Sequence, residues 1–220
     1  MPTITEVYNN IPFREGLITD WGFSCHVSEA GLLFDTGAKG DVLLSNMQAL
    51  GIDPVGIRYL VLSHDHWDHT GGLRAVLAAN PSVEIFVHDG FSAQTLRLIR
   101  EYTTPAIVDG WTEVVSGITV TGPLGTDIRE QALAITVAGG LLVVTGCAHP
   151  HISRIIDRVS REAPVWGIIG GLHTVTDEDI DALAGVARIS ASHCTDKIRE
   201  IRERYLETFR PGGVGKVHLV

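Results

Sequence analysis

Arg58-Tyr59-Leu60-Val61-Leu62-Ser63-His64-Asp65-His66-Trp67-Asp68-His69-Thr70-Gly71-Gly72-Leu73 is the stretch on which the fold turns. It opens as an apolar run, Tyr59 to Leu62, of the kind a fully buried strand shows. It then releases three histidines and two aspartates between His64 and His69. A glycine pair and an apolar helical spacing follow. Strand, ligand-dense loop and helix, in that order, place a metal at the carboxyl end of a sheet strand.

The spacing carries the chemistry. His64 and His66 lie two apart, so in an extended segment both side chains leave on one side. Asp68 and His69 come where the chain turns toward the helix and aim at a second point. Neutral imidazoles with a carboxylate suit zinc, iron or manganese and suit calcium poorly. A solvated, histidine-rich loop is the competing reading, and so dense a cluster at the end of a buried strand disfavours it.

Three further strands end in polar groups. Leu141–Thr145 leads into Gly146-Cys147-Ala148-His149-Pro150-His151, Val165–Ile169 into Gly170-Gly171-Leu172-His173, and Ala187–Ser192 into His193-Cys194. Strand ends meeting at one sheet rim would gather these groups into one cleft. Cys147 reads either as a thiolate ligand or as a buried apolar cysteine. His149 is the stronger ligand candidate and His151, at a helix start, the lesser one. Cys194 follows His193 and by alternation points away, toward the core. His88, at another strand end, reads as structural. Asp35 reads as a turn residue or as an acceptor that orients a metal-bound imidazole.

The rest of the pattern is mixed. Strands are expected at Thr3–Tyr8, Phe23–Ser28, Gly31–Phe34, Val83–Val87, Trp111–Val115, Ile118–Thr121 and Ala132–Val137, with a last one within Val214–Val220. Asp41 is expected to cap a helix that Gly51 stops, and Thr176 with Asp179 forms a capping-box pattern. That later helix is read onward to Ala187, and the final helix through Ile198, Ile201, Tyr205 and Phe209. Gly90–Gly110 settles into no single period. Periodicity supports a layered α/β fold, and no linker splits the chain, so residues 1–220 read as a single domain.

Composition narrows the function classes. A net charge of −9 argues against a nucleic-acid partner, which needs a basic surface. Three cysteines do not make a disulfide framework, and the amino terminus, beginning at Met1, lacks the pattern of a secretion signal. No apolar run reaches membrane-spanning length. The expectation is a cytoplasmic protein with a small-molecule substrate, no nucleic-acid partner and no membrane association; self-association into a homo-oligomer is left open.

His64-x-His66-x-Asp68-His69 after an apolar strand, with Phe34-Asp35-Thr36-Gly37 upstream, resembles the metallo-β-lactamase superfamily. The longer match from Ser63 through Leu73, with Gly146-Cys147-x-His149-Pro150, resembles the branch of 7,8-dihydropterin-6-methyl-4-(β-D-ribofuranosyl)aminobenzene-5′-phosphate synthase-like proteins. The resemblance implies a four-layer αββα sandwich. It implies two divalent transition-metal ions, zinc first with iron or manganese as alternatives. His64 and His66 would hold one; Asp68, His69 and His193 the other. The Gly-His-Thr/Ser-Pro-Gly segment usual in the superfamily is missing, and residues 125–131 stand in its place. His149 is inferred to replace that histidine, with Cys147 near the position of the usual bridging aspartate. His173 resembles the proton donor or phosphate contact of the phosphodiesterase branch.

The implied activity is a metal-dependent hydrolase, in which a metal-activated water cleaves an ester, lactone, thioester, amide or phosphoester, with Asp68 and His173 as catalytic groups. One alternative is a carbon–nitrogen-forming synthase that joins a dihydropterin to an aminobenzene ribotide, with Trp21, Phe23 or Trp67 stacking a ring and Arg14 meeting a phosphate. Others are a non-catalytic metal-binding sensor module and single-iron oxygen or sulfur chemistry.

Overall fold

The computed structural model describes residues 2–220; Met1, read with the opening strand, lies outside them. The chain divides into two compact units, the residues up to Asp109 together with Gly213–Val220, and Gly110–Gly212.

The first unit runs β1 (Thr3–Asn9), β2 (Phe23–Val27), β3 (Leu32–Phe34), α1 (Gly40–Leu50), β4 (Tyr59–Val61), α2 (Trp67–Thr70), α3 (Leu73–Ala79), β5 (Glu84–His88), α4 (Ala93–Arg100) and β6 (Ala106–Val108). Its sheet takes the C-terminal strand Val217–Leu219 first and then β1 to β6 in chain order. The hairpin from β2 to β3 is antiparallel, as the Glu29-Ala30-Gly31 turn demands. From β3 to β6 the strands are parallel, because helices carry the chain back between them.

One face of this sheet forms a core with the helices. Leu33, Leu60, Leu62, Ile85 and Val87 meet Leu43 and Met47 of α1 and Leu73, Val76 and Leu77 of α3. Leu32, Phe34, Val61 and Phe86, which alternate with them, are buried too, and this is why the strands read as unbroken apolar runs. The C-terminal strand is tied in by a buried carboxylate. Glu6 accepts hydrogen bonds from His218 Nε2 (2.9 Å), Asn9 Nδ2 (2.7 Å) and the Gly213 amide (3.0 Å).

Two local expectations change. Lys39, not Asp41, is the residue before α1; Asp41 lies in the first turn, where its carboxylate accepts from the Val42 amide. Residues 90–110, opaque in sequence, form α4 and β6. The Ser92 hydroxyl accepts from the Thr95 amide, and only Ile99 of α4 is buried, so the helix carries too narrow an apolar stripe to reveal its period. Gly51 closes α1 in a left-handed conformation (φ 72°), as its glycine predicts.

The second unit runs β7 (Thr112–Val115), β8 (Ile118–Val120), β9 (Leu133–Val137), β10 (Gly140–Thr145), α5 (Ile152–Ser160), β11 (Val165–Gly171), α6 (Asp177–Ala182), β12 (Arg188–Ser192) and α7 (Ile198–Arg204). Its sheet order is β12-β11-β10-β9-β8-β7. β7 to β10 form an antiparallel meander, and β10, β11 and β12 are parallel neighbours. Val143, Ile168 and Ile189 pack with Ile152, Ile155 and Val159 of α5, Ile180 of α6 and Ile201 of α7.

The capping box of Thr176 and Asp179 is formed. The helices it precedes are shorter than their apolar spacing implies. α6 ends at Ala182, before Gly185 in a left-handed turn (φ 84°). α7 ends at Arg204 because Thr208 and Arg210 are drawn beside β12. There the Ile189 amide donates to the Thr208 carbonyl (3.0 Å) and the Arg210 amide to the Ile189 carbonyl (2.8 Å). Each unit is thus a sheet with helices packed on it, and the fold is mixed α/β with two sheets.

Candidate metal centre

In the first unit the polar groups leave the carboxyl ends of neighbouring parallel strands. Asp35 follows β3 and residues 63–69 follow β4, the position where parallel sheets present ligand groups. Asp35 is fully buried and organises the rest. Its Oδ1 accepts from the Ser63 amide (2.7 Å); its Oδ2 accepts from the Ser63 hydroxyl (2.7 Å) and from His69 Nδ1 (2.7 Å).

These bonds assign the histidine tautomers. His69 spends its Nδ1 proton on Asp35, so in the neutral ring Nε2 carries the lone pair. The Ser63 hydroxyl proton goes to Asp35, so at 2.8 Å the hydroxyl oxygen accepts from His64 Nδ1. His64 Nε2 is therefore a second lone-pair nitrogen. It lies 3.1 Å from His66 Nδ1, as the two-residue spacing predicts, and a proton or a cation must lie between them. Asp68, 7% exposed, places Oδ2 3.7 Å from His69 Nε2.

The loop that carries these ligands is clamped to the Asp35–Gly37 turn. The Thr36 amide and hydroxyl both donate to the His69 carbonyl at 2.8 Å. The glycine pair permits the approach: a Cβ at Gly71 would collide with the Ala38 carbonyl oxygen, and one at Gly72 with that of Thr36. Asp65 takes no part in the ligand set. It accepts from the Ser92 amide and the Thr95 hydroxyl at 2.7 Å and fixes the start of α4. His88 is structural, donating from Nε2 to the Ser63 carbonyl (3.2 Å) and accepting at Nδ1 from the Gly90 amide (3.1 Å).

Of the proposed ring-stacking residues, Trp21 and Trp67 are exposed (47% and 65%). Phe23 is not available. It is fully buried, edge-on to Phe34 with centroids 6.5 Å apart, because its strand position faces the core. Arg14 lines a cavity of about 400 Å³ with Thr5, His26, Ser28 and Asp53.

In the second unit β10, β11 and β12 deliver their end groups side by side. The loop after β10 is held by Glu130, which is 1% exposed. Glu130 Oε1 accepts from the amides of Gly146 (3.0 Å), Cys147 (2.9 Å) and Ala148 (2.9 Å), and Oε2 from that of His149 (2.9 Å). Four backbone donors on one buried carboxylate fix where Cys147 and His149 point. The His149 ring lies 4.6 Å from that of the exposed His173, centroid to centroid. His193 is buried at the end of β12.

His151 is directed elsewhere: its Nδ1 donates to Asp179 Oδ2 at 2.9 Å. Burial would raise the Asp179 carboxyl, but hydrogen bonds from Thr176, Ser153 and His151 outweigh it and hold the group down at about 2. Cys194 does not point away into the core. Its Sγ lies 3.2 Å from Cys147 Sγ, because the left-handed backbone of His193 (φ 54°) ends the strand alternation on which that expectation rested.

Among the described residues, every non-glycine with a left-handed backbone belongs to these strand-end segments: Asp35, Ala148, His151, His173 and His193. Such residues cost about 1–3 kcal/mol each and persist where surrounding bonds over-determine them. Glu130 and Asp179 provide such bonds in the second unit, and Asp35 provides its own.

The family model for the metallo-β-lactamase superfamily matches residues 26–161. The chain belongs to the metallo-β-lactamase superfamily. It is 27% identical, over 84% of its length and 83% of the relative's, to the 7,8-dihydropterin-6-methyl-4-(β-D-ribofuranosyl)-aminobenzene-5′-phosphate synthase of Methanocaldococcus jannaschii. Among solved structures it is similar to Tm1679, a metal-dependent hydrolase of the β-lactamase superfamily, with a TM-score of 0.85 at 24% identity and coverage of 100% and 99% of the two chains. It is also similar to zinc-bound PqqB from Methylobacterium extorquens, with a TM-score of 0.66, 15% identity and coverage of 99% and 100%. The two-sheet α/β architecture is therefore the metallo-β-lactamase fold.

Within this superfamily the donor set fits a divalent transition metal. Two imidazole nitrogens are left as acceptors by bonds on the far side of each ring, and a carboxylate stands beside one of them. Sequence reading missed Glu130. It precedes β9 in a loop without periodicity, and only the four amides it meets, from a segment sixteen or more residues away, reveal its task.

Proposed function

We propose that the chain is a metal-dependent hydrolase acting on an ester, lactone, thioester, amide or phosphoester of a small molecule. The proposed ligands are His64, His66, Asp68, His69, Cys147, His149 and His193, holding two divalent ions, zinc before iron or manganese. Superfamily membership supports the class. The observation that carries the reading furthest is the Asp35 network, which leaves the Nε2 atoms of His64 and His69 as acceptors.

Bound ions of this kind supply Lewis acidity and a water of lowered pKa. The remaining work falls to the protein. Asp35 holds the Nδ1 proton of His69 directly and that of His64 through Ser63, so neither ring can turn or change tautomer without breaking a buried bond. Asp68 presents Oδ2 beside His69 Nε2, where it can bind an ion and orient a nucleophile. Glu130 fixes the segment that carries Cys147 and His149. His173, solvent-accessible and beside His149, is the proposed general acid and delivers a ring proton to the leaving group.

The test is turnover of a panel of simple esters, lactones, thioesters and phosphodiesters by the metal-loaded chain, with His173→Ala and Asp68→Ala as controls. Hydrolysis that falls on both substitutions supports the reading; a panel untouched by metal-loaded protein opposes it. The synthase relative favours a second reading, a dihydropterin-aminobenzene ribotide synthase-like enzyme. Binding of a dihydropterin, followed by quenching of Trp21 or Trp67 fluorescence, would select it.

A further inference from the structure

We infer that Cys147 and Cys194 form a reversible disulfide, making the end of β10–β11–β12 a thiol-oxidation site. Strand order alone would hold the two sulfurs apart. β10 and β12 are not neighbours; β11 lies between them, and Thr145 pairs with Gly170 while Ser192 pairs with Gly171. Adjacent strands stand about 4.8 Å apart, so groups on β10 and β12 are separated by about twice that. The two sulfurs nevertheless lie 3.2 Å apart.

Three features bring them together. Glu130 draws in the amides of residues 146–149 and sets the position of Cys147. The left-handed His193 turns Cys194 toward β10. β11 ends in Gly171, where a Cβ would stand only 2.7 Å from Cys194 Sγ, so a glycine is needed to leave the sulfur its path across the middle strand. A Cβ there would also collide with the Gly146 carbonyl oxygen, which accepts from the Gly171 amide (3.1 Å), so the same glycine lets the end of β11 close against the loop that carries Cys147.

A shared metal ion is the competing use of the pair, since a His173 ring nitrogen lies within 4.8 Å of both sulfurs. Two thiolates on one tetrahedral zinc, with bonds of about 2.3 Å, sit about 3.7 Å apart. The observed 3.2 Å is shorter than that. A disulfide needs a further closure of about 1.2 Å, to a bond of about 2.0 Å.

The oxidant is a low-molecular-weight disulfide, RSSR. Cys194 is the more accessible sulfur and attacks first: Cys194–SH and RSSR give Cys194–S–SR and RSH. The Cys147 sulfur then displaces the second RSH and forms the Cys147–Cys194 bond. Two protein thiols lose two electrons and two protons, and RSSR takes both as two RSH. Formation of the bond needs no metal; its consequence, removal of Cys147 from ion binding, rests on the ligand assignment proposed above.

The full-length chain, as purified and after chelator treatment, is incubated with oxidised glutathione. It is then alkylated under denaturing conditions and mapped by mass spectrometry. The expected product is a peptide pair linked through Cys147 and Cys194, reversed by dithiothreitol and absent from Cys194→Ser, with the buried Cys25 still alkylated as a thiol. Intact alkylatable thiols at both positions in the chelated protein, or only mixed disulfides with glutathione, would overturn the inference and leave the hydrolase reading untouched. Protection of the pair by added zinc would support Cys147 as a ligand. A disulfide that forms equally fast with zinc present would uphold the redox site and count against that ligand assignment.

Discussion

Asp35 Oδ2 and His69 Nδ1 lie 2.7 Å apart with both side chains fully buried. The same oxygen accepts the Ser63 hydroxyl, whose oxygen meets His64 Nδ1. One carboxylate just past the end of β3 therefore sets two imidazoles in the segment that follows the neighbouring strand, and a single substitution should be felt at both.

Asp35→Asn is expected to lower metal affinity by about 10- to 100-fold, the usual effect of removing an outer carboxylate partner. Competitive zinc titration measures it. An unchanged affinity would mean that His64 and His69 do not depend on Asp35 for their orientation.

Glu130→Ala leaves four buried or half-buried amides without their acceptor. Loss of hydrogen bonds to a charged group, each contributing about 1.5–3 kcal/mol, predicts strong destabilisation, partly offset where water enters. Urea unfolding should show a loss of several kcal/mol at unchanged slope. Glu130→Gln should lie between the two, because an amide can accept only through its oxygen.

Asp179 predicts a pH signature. Its folded-state value of about 2 lies below the ordinary 3.8, so its contribution is fully present above about pH 4 and is lost as pH falls toward about 2. The shift corresponds to roughly 2 kcal/mol. Asp179→Asn should therefore be destabilised at neutral pH, and its gap from the parent chain should narrow between about pH 4 and pH 2. A gap constant over that window would place the Asp179 contribution in its packing and not its charge.

Gly72→Ala forces a methyl group onto the Thr36 carbonyl, which belongs to the turn clamped over His69. Overpacking of this kind costs about 1–3 kcal/mol. Thermal unfolding should show the loss, and weaker metal binding should accompany it.

What could be read from sequence had local signals. The two-residue spacing of His64 and His66 implied convergent nitrogens, and they lie 3.1 Å apart. Thr176 and Asp179 carried a capping pattern that the chain forms. Gly51 announced the end of α1. What escaped were long-range effects. Cys194 was misdirected because alternation holds only while the backbone stays extended, and His193 leaves it. Phe23 looked available for stacking because sequence does not say which face of a strand is covered. Glu130 had no local pattern, since its partners are amides of another segment. α4 exposes so much of its surface that its period was lost in the polar background.

The most direct test of the metal-centre reading is the number of transition-metal ions per chain, measured by inductively coupled plasma mass spectrometry on untagged protein purified without chelator. About two ions per chain are expected, with fewer bound by His64→Ala and His69→Ala. A folded chain that arrives metal-free and takes up no added zinc, iron or manganese would contradict the metal-centre reading.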